Sequence, residues 1–545
     1  MKQLCIALAL GLIASALWAD HPLGKGEVKP VGLLPGLGNH HHPVATTSKE
    51  AQRWFDQGLL LLYAFNHEAA VRSFVKAAEH DPQLAMAWWG VAVGLGSNYN
   101  LEADAEQLKE AFAALEKAKK LAAKAPEQER AYIEALAKRY SADPKADRKK
   151  LAVDYKNAMG ELARRYPDDL DAATLHAESW MNLRPWELWG HDGKPAEGTE
   201  EILATLEGVL KRNPDHPGAN HYYIHAVEAS PNPERGLASA ERLKTLVPGA
   251  GHLVHMPSHI YWRVGDYEQA AKQNEIAMMV DGDYLKASGA KGVYPLMYYS
   301  HNIHFLAVAR AMQGRPADAQ QAAEKLAGHV GPHVKDMPML EGFMPTPYLV
   351  AVRCGRWQHI LKMPAPDSKQ HITTAIWHFA RGSAFANTGR PKEAEQERQA
   401  FLAVSKKVPA DAAYGDRNKA HSVLAIAEHL LEARVALANK DRKSAIEKLR
   451  QAVKCEDALN YIEPPDWYIP ARELLGAVLI HDGQPAAAEA VFRTALEKHP
   501  RNGRALFGLR ASLQAQQKDY AARLVDQEFA AAWKHADQTL DLKDY

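Results

Sequence analysis

A period of 34 residues constrains this chain more than any other feature. With Ala51 as position 1, Trp54 stands at 4, Gly58 at 8, Ala70 at 20, Phe74 at 24, Ala77 at 27 and Pro82 at 32. Counted from Ile469, Leu475 and Gly476 stand at 7 and 8, Ala488 at 20, Phe492 at 24, Ala495 at 27 and Pro500 at 32. Weaker copies start at Gly251, Ser300, Ala375 and Ile426, and degenerate ones near Ala85, Leu170, Asn220, Glu341 and Gly503. Such a period marks stacked units, each of which buries its apolar face only against its neighbours. Turn signals such as Gly265-Asp266, Gly314-Arg315-Pro316 and Gly389-Arg390-Pro391 fall inside the copies.

The pattern of Trp, Gly, Ala, Phe, Ala and Pro resembles the tetratricopeptide repeat, although the first copy lacks the Leu at position 7 and the Tyr at position 11. The resemblance implies an all-α fold, a right-handed α-solenoid of helix pairs. The small residues at 8, 20 and 27 let paired helices cross closely, and the Pro stops the second helix. The Ala- and Leu-rich text agrees with helix. We divide the chain into an irregular lead-in over 20–48, an N-terminal array over 51–340, a C-terminal array over 341–535 and a tail over 536–545. Residues 101–167 fit the period less well and read as longer helices or an insertion.

Residues 1–19 read as a secretory signal. Lys2 supplies the positive start, residues 4–17 are apolar but too few to span a bilayer, and Ala14-Ser15-Ala16 is a cleavage pattern. The expected protein is exported, to the periplasm in a Gram-negative source, with no membrane span. Only Cys354 and Cys455 remain after cleavage, about three repeats apart, so no disulfide is expected. Lys+Arg and Asp+Glu both number 66, which gives no basic excess for nucleic acid.

The functional signal is a run of histidines between Asn220 and His304. His221 and His225 are spaced i, i+4, as are His255 and His259; His301 and His304 are spaced i, i+3. Each pair shares a helix face. The tetratricopeptide resemblance implies that positions 2, 5 and 9 line a concave groove. His252, His255 and His259 hold those positions in the copy from Gly251, and His301 and His304 hold 2 and 5 in the copy from Ser300. His221 and Glu228 hold 2 and 9 in the copy from Asn220, with His225 slightly off the face. His176, Glu178, Tyr222 and Tyr261 are expected to line the same groove. Three consecutive first helices therefore direct imidazole into one place.

Neutral imidazoles suit zinc, copper and iron, and the nearby carboxylates favour zinc or iron over Cu(I). Two functions stay open. One is a transition-metal site in the groove, which with an open position would activate water as an enzyme does. The other is a scaffold that binds a peptide or partner protein, with the histidines as hydrogen-bond donors. No nucleotide fingerprint and no HExxH or G-x-S-x-G motif is present. The other clusters read as structural: His40-His41-His42 as a solvated loop, Asn66-His67-Glu68 as an ordinary turn, and His216 as a packing residue.

Overall fold

The computed structural model describes residues 32–545; the segment read above as a secretory signal, residues 1–19, lies outside them. The described residues are all-α, a helical-repeat solenoid of antiparallel helix pairs. Among them, β-pairing is confined to Ala413–Tyr414 against Asn418–Lys419 and one bridge between Trp189 and Pro195. No described helix is long and apolar enough to cross a membrane.

The repeat is visible in the packing. Helix Lys49–Tyr63 pairs with His67–His80, and helix Ala85–Gly94 follows. A Cβ built on Gly58 would stand 2.7 Å from the Phe74 ring, and one on Gly90 would overlap the same ring from the other side. Phe492 repeats this arrangement between Gly476 and Gly508. One aromatic ring thus keys a helix pair to the next helix, which is possible only where both flanking helices lack a side chain.

The turn between paired helices recurs too. Position 15 has positive φ in eight copies: Phe65, Gly265, Gly314, Gly355, Gly389, Lys440, Gly483 and Gln517. Glycine enters this left-handed region without penalty; bulky residues do not. Second helices often start on proline (Pro316, Pro391, Pro485), which has no N–H to leave unsatisfied.

The chain packs as two compact units. The first comprises residues up to Ile260 together with Ile276–Tyr299; the second comprises Tyr261–Glu275 and Ser300–Tyr545. In the first, residues 101–167 form helices Ala105–Ala122, Glu127–Leu136 and Arg148–Arg165. Helix Pro217–Glu228 also meets Lys49–Tyr63, with Gly218 against the Tyr63 ring. In the second unit, buried Glu473 is shared by Arg353, Arg504 at 2.9 Å and Asn502 at 2.7 Å. Residues 536–545, expected as a tail, pack instead. Asp537 N–H donates to Gly314 O at 3.0 Å, and Tyr545 is 2% exposed. Cys354 and Cys455 are both free thiols.

Candidate metal centre

The helix Pro217–Glu228 starts on proline and is capped by His216, whose Nδ1 accepts the Ala219 N–H at 3.1 Å. Its helical spacing sets His221, His225 and Glu228 along one side. The spacing of His255 and His259 suggests one helix, but Pro257 divides it into Gly251–His255 and Pro257–Arg263, since proline cannot donate within a helix. The division keeps the two imidazoles together: His255 Nε2 lies 2.8 Å from His259 Nε2.

In the first unit these segments gather five imidazoles. His221 Nε2 is 3.2 Å from His252 Nε2, and the ligand atoms of His221, His225 and His252 lie within 4.8 Å of one another. The ring centroids of His225 and His259 are 5.6 Å apart, and those of His252 and His255 are 5.8 Å apart. All five residues are buried. They form a closed cluster rather than an open groove lining, because Phe65, Tyr99 and Trp186 pack on their rings.

The outer nitrogens decide what the inner ones present. His221 Nδ1 faces the Tyr63 carbonyl at 2.6 Å, which only accepts, so Nδ1 carries the hydrogen and Nε2 is a bare lone pair. His225 Nδ1 and His259 Nδ1 donate to the two oxygens of Glu228, at 2.7 and 2.5 Å. Ser258 Oγ spends its one hydrogen on the His255 carbonyl, so it can only accept from His255 Nδ1, 3.3 Å away. Three imidazoles, His221, His225 and His259, therefore turn Nε2 lone pairs inward. His255 Nε2 faces the His259 Nε2 lone pair at 2.8 Å, a separation that one N–H···N hydrogen bond satisfies and that a shared cation would also draw together. The Nε2 of His225 is buried without a hydrogen-bond partner. Histidine ligands of metals are held in this way, by an acceptor on the far nitrogen. Tetrahedral bonds of about 2.0–2.1 Å place neighbouring donor atoms about 3.3 Å apart, close to the His221–His252 separation.

Burial would raise the Glu228 carboxyl, but the imidazoles of His259 and His225 outweigh it and hold the group at about 2. Burial and the neighbouring His225 push the His221 imidazole well below its ordinary value, and burial lowers His225. Both shifts favour the neutral form of His221 and His225, the form that ligation requires.

His176 and Glu178 sit on the helix Leu170–Met181, where Glu178 Oε1 accepts from Asn182 at 2.5 Å. Tyr222 is buried against Tyr63. Tyr261, His301 and His304 belong to the second unit. There, Tyr261 is buried, the His301 ring meets Phe305, and His304 packs against Phe343 and Tyr468.

A second group in the first unit centres on Asp171. Its carboxylate accepts from Tyr63 Oη at 2.6 Å, and His40 Nε2 and His42 Nδ1 each lie 2.9 Å away. His216 Nε2 lies at 3.2 Å; its Nδ1 already accepts a backbone N–H, so Nε2 carries the hydrogen and donates. Four donors saturate one carboxylate, which makes Asp171 a clasp for the lead-in. The His triplet is therefore not a solvated loop: His42 is 9% exposed, and only His41 points out, to Asp56. A sequence signal existed. Alternate residues of an extended segment share a side, and His40 and His42 are such a pair.

No protein-family model matches the chain, and no curated protein matches it. Among solved structures, the human IFIT1 dimer with PPP-AAAA is 15% identical over 88% of this chain and 90% of that one, with a TM-score of 0.33. Yeast Tom70 is 10% identical over 88% and 90%, with a TM-score of 0.30. The APC/C hetero-tetramer Cut9-Hcn1 is 13% identical over 93% and 82%, with a TM-score of 0.31. Likeness at this level leaves the fold resting on the helix packing described above.

Proposed function

We propose that this is an exported tetratricopeptide-type protein whose first unit binds a transition metal through His221, His225, His252, His255 and His259. One observation carries the reading: three of these rings present Nε2 lone pairs to a shared interior because their Nδ1 hydrogens are committed elsewhere. An all-imidazole set suits zinc, copper, iron or nickel. Glu228 serves as the outer group that aims two of the rings, not as an inner ligand. A bound ion with an open position would supply Lewis acidity.

The test is metal analysis of protein purified without a His-tag, followed by titration of the metal-free form. About one equivalent or more, lost in a His221→Gln/His225→Gln variant, is the expected result. Less than about a tenth of an equivalent with no binding on titration overturns the reading. In that case the clustered rings serve packing, and the protein is a scaffold for a peptide or protein partner. Pull-down from a periplasmic extract with and without chelator separates these outcomes. N-terminal sequencing of the exported protein tests the signal over residues 1–19.

A further inference from the structure

Behind Phe65, in the first unit, lies a cavity of about 50 Å³ walled by Phe65, His67, Glu68, Leu101, Tyr294 and Tyr298, among others. At roughly 10–15 Å³ per water-sized occupant it holds about four. Much of its wall is hydrocarbon, broken by Asn98, Gln107, two tyrosines and, most telling, Glu68 and His67. Glu68 is 8% exposed, and its Oε1 has no hydrogen-bond partner. Both ring nitrogens of His67 are buried and reach at most the Gly94 backbone. Buried polar atoms in native proteins are nearly always satisfied, so Glu68 Oε1 and this ring on one small cavity call for an occupant.

The backbone around the cavity is unusual on two sides. Phe65 has φ of 54°, and it is the one aromatic among the eight left-handed turn positions. Tyr294–Tyr298 forms a π-helical turn, a conformation frequent at functional sites. Beside it, Gly292 has φ of 99°, and a Cβ there would stand 3.1 Å from Glu68 Oε1. Strained residues persist where the surrounding structure holds them for a purpose. Here the strain sets two aromatic rings between the cavity and the histidines. Phe65 lies 4.5 Å from the His221 ring and stacks on His252 at 5.4 Å, and Tyr298 lies 5.0 Å from His252.

We propose that this cavity binds a small neutral molecule of about four heavy atoms with one carbonyl or hydroxyl end, and that Glu68 hydrogen-bonds that end. A carboxylic acid donates to a carbonyl, and a carboxylate accepts from a hydroxyl. Burial raises Glu68 to about 7, partly offset by Arg72, so both forms are present near neutrality. Burial lowers His67 to about 4, which leaves a neutral ring with one donor and one acceptor. A charged ligand would lose its hydration against Phe65, Val71 and Leu101. The inference extends the metal reading by giving that centre a neighbouring ligand pocket, yet binding itself needs no metal.

Acetone, with four heavy atoms, is the probe, added to the metal-free full-length protein and followed by infrared difference spectroscopy. The expected result is a shift of a protonated-carboxyl stretch in the wild type that is absent in Glu68→Gln. Ala103→Leu fills the cavity from a buried wall position and is expected to weaken acetone at least about tenfold with the carboxyl band still present. An unaltered carboxyl shift in Glu68→Gln overturns the proposal, as does equal acetone affinity in wild type and Ala103→Leu. Failure of the wild type to bind acetone at about 1 M overturns it as well, since sites for ligands this small are weak but measurable. Each result leaves the metal analysis untouched, so the two readings fail separately.

Discussion

Replacing Glu228 with the isosteric Gln isolates what the outer carboxylate does. The carboxylate serves two imidazole N–H groups at once, His225 at 2.7 Å and His259 at 2.5 Å. An amide has one accepting oxygen, so one ring faces an NH₂ group and must turn or change tautomer. In the metal-free protein a buried donor left unsatisfied costs about 1–3 kcal/mol. The carboxyl is held at about 2 against an ordinary 4.5. At about 1.36 kcal/mol per pKa unit, that difference is worth roughly 3 kcal/mol at neutral pH, an upper figure for so closely linked a group. The sign follows: a depressed carboxylate contributes stability above pH 4.5 that is lost as pH falls towards about 2. With metal bound, loss of an outer partner weakens affinity about 10–100-fold, or about 1.4–2.7 kcal/mol. Competition with a chromophoric chelator measures the second effect, and urea melts of metal-free wild type and Glu228→Gln at several pH values measure the first. Affinity within about twofold of wild type, together with unchanged metal-free stability, would refute the assigned role.

Asp171→Asn leaves one accepting oxygen and no charge for the four donors His40, His42, His216 and Tyr63; it should lower stability by about 2–4 kcal/mol and speed proteolysis within residues 32–48, visible by mass spectrometry. Glu473→Gln strands the buried Arg353 and Arg504 and should cost about 3–5 kcal/mol in a urea melt; a loss below about 1 kcal/mol would argue that the arginines find other partners. Phe65→Gly relieves the left-handed backbone by about 1–2 kcal/mol but gives up a buried ring worth about 3–5 kcal/mol, so a net loss of roughly 1–4 kcal/mol is expected. Burial lowers His67, His304 and His499 to about 4, below the ordinary 6.5, so each binds fewer protons folded than unfolded. Their contribution is intact above pH 6.5 and drains away as pH falls towards about 4. Thermal melts of metal-free protein across that window should fall with pH, and a His67→Gln/His499→Gln variant should fall less.

The repeat was legible because it is a local property written many times. Close packing at Gly58 and Gly476 needs glycine wherever Phe74 or Phe492 lies opposite, and position 15 needs a residue that accepts positive φ. The histidine spacings were legible for the same reason, since helical periodicity alone sets His221, His225 and Glu228 on one side. What the period could not disclose was everything that depends on contact between distant segments. Asp171 looks like any first-turn acid until His40 and His42 reach it across more than a hundred residues. His67 and Glu68 sit at a turn where polar residues are ordinary, and only the return of Tyr294 and Tyr298 turns that spot into a cavity. The same limit explains why the expected groove is a buried cluster. Repeat position fixes the direction in which a side chain leaves its helix; whether it meets solvent depends on the chain packed above it, here Phe65, Tyr99 and Trp186. Of these, Phe65 is telling. Seven other copies fill position 15 with Gly, Lys or Gln, so the repeat itself does not ask for a ring there. A residue that departs from its own chain's pattern at a cost in backbone strain points to the site more directly than the histidines around it.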